Sequence, residues 1–452
     1  MENNSLYLIK NGHVLDPASG KDGIYNIVVK DGIIAAVDND SHDEIDNVID
    51  AAGCYVMPGL IDLHVHFREP GFEYKETIKT GSLAAARGGV TTVLPMPNTK
   101  PVIDSVEMVR RVNDIIKRDA VVNVLQVASV TMGQEGKVPV DVEALREEGV
   151  VAISEDGKSV MNAEVYREAM YRAADCGMVV LAHCEDKNMV NGGALNESAK
   201  SEELGIKGIT NAVEDVIVAR DILLAKETGC RLHLCHCSTK DSVKMIKIAK
   251  EDGIDVTGEV CPHHFTLCDE DIPCDNADYK MNPPLRGRED VEALKKGLKD
   301  NIMDVISTDH APHSEEEKKK PISEAPFGIT GLETSLCLTY TELVLGGVLT
   351  PMQMAEKMSY NPARVIGIDR GTLLPGAVAD ITIMDKDKEF VIDRKDFVSK
   401  GHNTPFDEKK VKGKVMLTMV GGKIVYKEHN HKTMISDAFN LQWENKVNKA
   451  EH

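Results

Sequence analysis

Apolar and polar positions alternate at both ends of the chain and recur in blocks between them. Over residues 6–50, LYLIKNGHVLDP and YNIVVKDGIIAAVD follow the period of two that sends successive side chains to opposite faces of a strand. Asn11-Gly12 and Asp31-Gly32 supply the turn chemistry of tight hairpins. The same texture returns after residue 367 in GTLLPGAVADITIMD and KVMLTMVGGKIVYK. Strands at the two ends most simply pair into one composite β-domain, a small β-sandwich. Between them the rhythm changes to an apolar run followed by a helical pattern. The candidate strands are 56–67, 90–97, 122–129, 150–156, 178–185, 231–238, 255–263 and 303–311, with helical patterns at 105–118, 162–176, 210–228, 239–252 and 287–300. Eight strands alternating with helices predict an α/β chain built on a TIM-like (β/α)8 barrel. A doubly wound open sheet is the alternative, and the strand count disfavours it.

These patterns assign residues 1–55 and 368–427 to the β-sandwich and 56–367 to the barrel. The remaining 428–452 form a polar tail carrying the only tryptophan, Trp443, read as a short helix over 435–447 or as a frayed end. A chain of 452 residues has room for a large barrel and a small appendage. The formal net charge of -20 argues against a nucleic-acid surface, and no apolar run reaches the length of a membrane span. The first residues, MENNSLYLIKNG, lack the charged and apolar regions of a signal peptide. The ten cysteines are scattered without a C-x-x-C pair, which predicts buried free thiols and a cytoplasmic protein.

The candidate chemistry lies where a barrel collects it. His64 and His66 end the first predicted strand and share a face, Glu155-Asp156 end the fourth, His183 the fifth, His236 the sixth and Asp309 the eighth. Four histidines and two aspartates converging on one barrel mouth would hold two divalent ions. His233 is assigned by strand alternation to the face opposite His236, Cys235 and Cys237 to structural thiols facing away from it, and His263 and His264 to supporting positions. The EEEKKK run at 315–320 reads as a solvated loop, with a mobile lid over 312–330 as the lesser alternative.

Nearly end to end, the chain resembles the bacterial type I dihydroorotases of the amidohydrolase superfamily, a group of metal-dependent hydrolases. The resemblance rests on PGLIDLHVHFREPG, GGVTTVLPMPNTKP, SEDG, LAHCED, LHLCHCS, MNPPLR, STDHAPH, PFGITGLET and SYNPARVIG. It implies the reversible cyclisation of N-carbamoyl-L-aspartate to L-dihydroorotate in de novo pyrimidine (UMP) biosynthesis. It further implies two Zn2+ per subunit, one held by His64, His66, Asp156 and Asp309, the other by Asp156, His183 and His236. Asp156 would bridge the ions where many relatives use a carboxylated lysine, and Glu155 stands where the family turn usually has a second aspartate. Water activated at the metal pair would attack the ring amide, with Asp309 as proton shuttle. His/Asp donors also accept manganese or cobalt.

For the substrate carboxylate the resemblance implies Arg68, whose planar fork suits it, with Asn98 and His313 as companions. A structural ion pair of Arg68 with Glu69 or Glu73 is the alternative. Asn282 and the backbone of Phe327 and Gly328 would grip the ring amides. The resemblance also implies a homodimer and allows association with aspartate transcarbamoylase. The competing functions are another cyclic amidase, an allantoinase or hydantoinase, and a non-catalytic dihydroorotase-like scaffold. The MPNT, MNPPLR and PFGITGLET stretches and the absence of a bridging lysine disfavour the first, and the full set of metal-competent residues disfavours the second.

Overall fold

The computed structural model describes residues 6–42 and 44–428. The reading of a helix over 435–447 therefore lies outside the described residues. The barrel strands are Leu60–Val65, Val90–Pro95, a third strand in two pieces (Asn123–Val124 and Val127–Ser129), Ala152–Ser154, Val179–Ala182, Leu232–Leu234, Val256–Val260 and Val305–Ile306. Each pairs in parallel with the next, apart from the break in the third, where Asn123–Val124 pairs back to the second strand and Val127–Ser129 forward to the fourth. A parallel bridge between Val65 and His310, with His66 N donating to His310 O at 2.8 Å, closes the ring. The helical patterns appear as Val106–Asp119, Ala163–Asp175, Ala212–Thr228, Lys240–Glu251 and Arg288–Lys299. Ser105, Asn162 and Thr239 cap three of them, each side chain accepting from a first-turn N–H that has no helical partner.

The first predicted strand, 56–67, divides in the structure. Cys54–Pro58 belongs to the composite sheet, and the barrel strand begins only at Leu60. Cys54–Pro58 pairs antiparallel with Ile381–Val391 on one side and parallel with Leu6–Asp16 on the other, which joins the two chain ends. The eight-stranded sheet runs from Lys423–Lys427 through Lys410–Val420 to Ile33–Asp38, and a bridge from Ile33 to Val378 folds it over its own core of Ile9, Val14, Ile27, Val56, Ile383 and Met419.

Two details aim the site. The pairing register slips between Asp62 and Val65, so Ile61 and Leu63 pack inside the barrel with Leu94, Val127 and Leu181, whereas Val65 and Phe67 pack outward with the helices. His64 and His66 thereby face inward at the mouth. Arg68, His236 and Asp309 leave their strands with φ of 62°, 34° and 49°. Left-handed backbone at non-glycine residues costs roughly 1–3 kcal/mol each and persists where the surroundings enforce it.

Candidate metal centre

Asp156 sits at the centre of the barrel mouth. Its Oδ1 lies 3.2 Å from His64 Nε2, 3.4 Å from His183 Nδ1 and 3.8 Å from His236 Nε2, and its Oδ2 lies 3.6 Å from His66 Nε2. Asp309 Oδ1 stands 3.0 Å from His66 Nε2 and 3.5 Å from His64 Nε2. All six side chains are buried. His64 Nε2 and Asp156 Oδ1 face each other without a hydrogen bond, and His183 Nε2 is likewise unpartnered among the described residues. Buried polar atoms left in this state are costly. A shared cation resolves the His64–Asp156 pair, and imidazole with carboxylate is a suitable donor set for a divalent transition metal.

Glu155 does not join them. Its carboxylate accepts from Val130 N and Thr131 N, each at 3.0 Å, and from the Thr131 hydroxyl. Burial raises the Asp156 carboxyl, but His64, His183 and His236 outweigh it and hold the group well below the usual carboxylate range. Burial likewise raises Asp309, and its hydrogen bond to His66 with the nearby His64 and His236 brings it down to about 2. Both are ionised at neutral pH.

Beneath the histidines lies a support that sequence reasoning missed. Glu259 is fully buried on the seventh barrel strand. Its carboxylate meets His64 Nδ1 at 3.2 Å, the backbone N–H of His236 at 3.1 Å and His233 Nε2 at 3.0 Å. In the neutral, metal-binding form of the ring this bond places the His64 proton on Nδ1 and turns Nε2 toward the aspartates. His233 supports Glu259 and also bonds Thr257 through Nδ1. Cys235, read from alternation as lying on the face away from His236, stands on the inner side beside His64 and Glu259, because the left-handed backbone at His236 interrupts that alternation. Cys261, His263 and His264 make a separate buried group in which His264 Nε2 bonds Pro283 O at 2.9 Å. The only sequence signal for Glu259 was an acid in the middle of a predicted barrel strand. Glu259→Gln is expected to keep the fold and weaken metal binding by roughly 10–100-fold. Titration against a competing chelator measures this, and unchanged affinity would remove Glu259 from the centre.

The cavity above the cluster, about 560 Å3 including its solvent-filled mouth, is lined by His66, Arg68, Asn98, Asp156, Gly157, His183, His236, Asn282, Asp309, Ala311, Phe327 and Gly328. Of the residues that the resemblance assigned to metal or substrate, all reach this wall except His64 and His313. Asn98 holds ligand candidates, with Oδ1 3.1 Å from His66 Nδ1 and Nδ2 donating to Asp156 Oδ2 at 2.9 Å. Asn282 Nδ2 donates to Glu185 Oε2 at 2.5 Å. His313 Nδ1 lies 3.1 Å from Lys75 Nζ and its Nε2 2.8 Å from Phe327 O. With Lys75 as the donor to Nδ1, the ring proton sits on Nε2 and is donated to the Phe327 carbonyl. Gly328 has φ of 133°, and a Cβ there would meet Ala311 and His313 within 3.0 Å, so only glycine fits.

Arg68 is partly buried, its guanidinium donating to Pro312 O at 3.3 Å. Among the described residues no carboxylate lies within ion-pair distance of it. Glu69 is turned to Ile78 N and Glu73 to Gly71 N, so neither provides the structural ion pair considered as the alternative. Removal from water lowers the Arg68 pKa, with the more distant Asp309 and Asp156 opposing.

A family model described as dihydro-orotase-like matches residues 53–242. The dihydroorotase of Pelotomaculum thermopropionicum is 50% identical over 93% of this chain and 98% of its own. The chain belongs to the dihydroorotase family. The dihydroorotase of Bacillus pumilus is 48% identical over the same share of both. Among solved structures, the L-hydantoinase (dihydropyrimidinase) of Arthrobacter aurescens superimposes with a TM-score of 0.83 at 28% identity, over 95% of this chain and 97% of that one. The dihydropyrimidinase of Brevibacillus agri, at 23% identity and a TM-score of 0.81 over 94% and 95%, shares the fold. The chain thus shares with these structures the amidohydrolase barrel fold over nearly its whole length. Within the described residues no helix is long and apolar enough to cross a membrane.

Proposed function

We propose that this chain catalyses the reversible interconversion of N-carbamoyl-L-aspartate and L-dihydroorotate in pyrimidine biosynthesis, using two zinc ions. The observation that carries the substrate assignment is Arg68, a partly buried guanidinium with no carboxylate in ion-pair distance among the described residues, on the wall that also bears the His/Asp cluster. Both forms of this substrate bring a carboxylate to it. His64, His66, Asp156 and Asp309 would hold one ion and Asp156, His183 and His236 the other, and the pair would supply Lewis acidity toward water and the ring carbonyl. Arg68, with Asn98 and His313 beside it, orients the substrate carboxylate. Asn282 and the Phe327–Gly328 backbone orient the ring amides. Asp309 accepts the proton of the attacking water at its carboxylate and delivers it to the ring nitrogen as the C–N bond breaks. In the direction of cyclisation the same carboxylate accepts the proton of the carbamoyl nitrogen.

The ten cysteines are free and mostly buried, in keeping with a cytoplasmic enzyme. A homodimer, and association with aspartate transcarbamoylase, complete the proposal on family grounds. The test is turnover of L-dihydroorotate beside allantoin, hydantoin and dihydrouracil, before and after chelation. Selective hydrolysis of dihydroorotate that is lost on chelation and restored by Zn2+ is expected. Preference for allantoin or hydantoin would overturn the substrate assignment, and no turnover with metal bound would favour a scaffold.

A further inference from the structure

One residue of the charged run at 315–320 is not in solvent. Glu315, Glu316, Lys319 and Lys320 are exposed, but Lys318, the last residue of the short helix Glu315–Lys318, is buried. Its Nζ meets Gly328 O at 2.8 Å, Pro326 O at 3.2 Å and Lys280 O at 3.3 Å. These carbonyls belong to the two segments that carry Phe327, Gly328 and Asn282 to the cavity wall. Gly328 N also donates to Lys280 O at 3.0 Å, so the segments are joined directly as well as through Lys318.

Each peptide plane of the 326–328 stretch is fixed separately. The Pro326 carbonyl points to Lys318, the Phe327 carbonyl accepts from His313, and the Gly328 carbonyl accepts from Lys318 and from Asn403 Nδ2 at 3.0 Å. In a trans peptide the N–H points opposite to the carbonyl. Drawing the Pro326 carbonyl down onto Lys318 therefore turns the Phe327 N–H the other way. The outer edge is held by Glu317, which pairs with Lys75 at 2.8 Å and with the Ser314 cap. Burial pushes the Lys318 amine down to about 7, Lys280 adding to the effect and Asp278 and Glu317 opposing it. Charged or neutral, the amine keeps at least two N–H donors for these carbonyls.

We propose that Lys318 is a positioning residue that sets substrate affinity, by anchoring the carbonyls of Pro326 and Gly328 so that the Phe327–Gly328 backbone meets the ring amides. The inference rests on the dihydroorotate reading above. Methionine in its place keeps the apolar stem and leaves the Pro326 carbonyl without a donor. In Lys318→Met, KM for L-dihydroorotate is expected to rise about tenfold, with kcat within about threefold. Metal content should equal that of the unaltered chain. Inhibition by orotate, which carries the ring amides, should weaken in parallel, while inhibition by succinate, which carries only carboxylates, should not change. An unchanged KM overturns the inference, as does a joint fall of kcat and metal content, which would mark a merely structural lysine. If Lys318→Met is insoluble, Lys318→Gln retains N–H donors on a shorter uncharged chain, and its KM should rise in the same direction by about threefold. An unchanged KM there is equally decisive against it. Absence of dihydroorotate turnover in the unaltered chain overturns the functional reading itself, and this inference with it.

Discussion

Replacing Asp309 with asparagine is expected to lower kcat about a thousandfold while leaving most of the metal in place, the size of loss typical of a removed general acid–base group. Asparagine preserves the shape of the side chain and the oxygen 3.0 Å from His66 Nε2. It cannot accept the proton of the attacking water. Asp309 is suited to that exchange by position, because it faces the cavity from a backbone held at φ of 49° between the first barrel strand and the 329 segment. Metal analysis and turnover on one preparation separate the two roles of the carboxylate. Near-normal turnover would remove Asp309 as the proton carrier. Loss of metal in proportion to activity would leave it a ligand only.

The second large effect is expected at Arg68. Arg68→Met keeps much of the apolar stem and removes the guanidinium. Truncating one side of a buried charge pair costs about 2–5 kcal/mol, which corresponds to a fall in kcat/KM of roughly 30- to several-thousand-fold. The loss should appear mainly in KM for dihydroorotate. Hydrolysis of dihydrouracil, which has the ring amides but no carboxylate, should change little, so discrimination between the two collapses. Equal losses for both substrates would show that Arg68 maintains the 312–313 segment, to which it is bonded through Pro312 O, and does not read the substrate charge.

Much of the site was legible because its parts are local. His64 and His66 lie two residues apart on a strand, and Asp156, His183, His236 and Asp309 each follow an apolar run, so periodicity alone brought them to one end of a barrel. The readings that changed are those where the backbone leaves regular geometry or the partner is remote. Cys235 was turned outward by an alternation that the backbone at His236 interrupts. The first strand was read as continuous through Gly59, although the chain passes there from the composite sheet into the barrel. Lys318 looked like any lysine of a charged run, and only the carbonyls folded over it give it a different environment.

The sequence by itself determined the repeating strand–helix order, the sharing of one β-domain between the two ends, and the chemistry available at the barrel mouth. These follow from side-chain period and residue type, which act over a few residues. The tertiary structure decided which acid of Glu155-Asp156 faces the histidines, which ring nitrogen of His64 faces the aspartates, and that among the described residues Arg68 has no carboxylate within ion-pair distance. Each depends on contacts between distant segments, such as Glu155 with the 130–131 turn and Glu259 with His64 across 195 residues. Burial then makes each of those contacts matter, since a charge or ring nitrogen removed from water must find a partner within the fold or in the ligand.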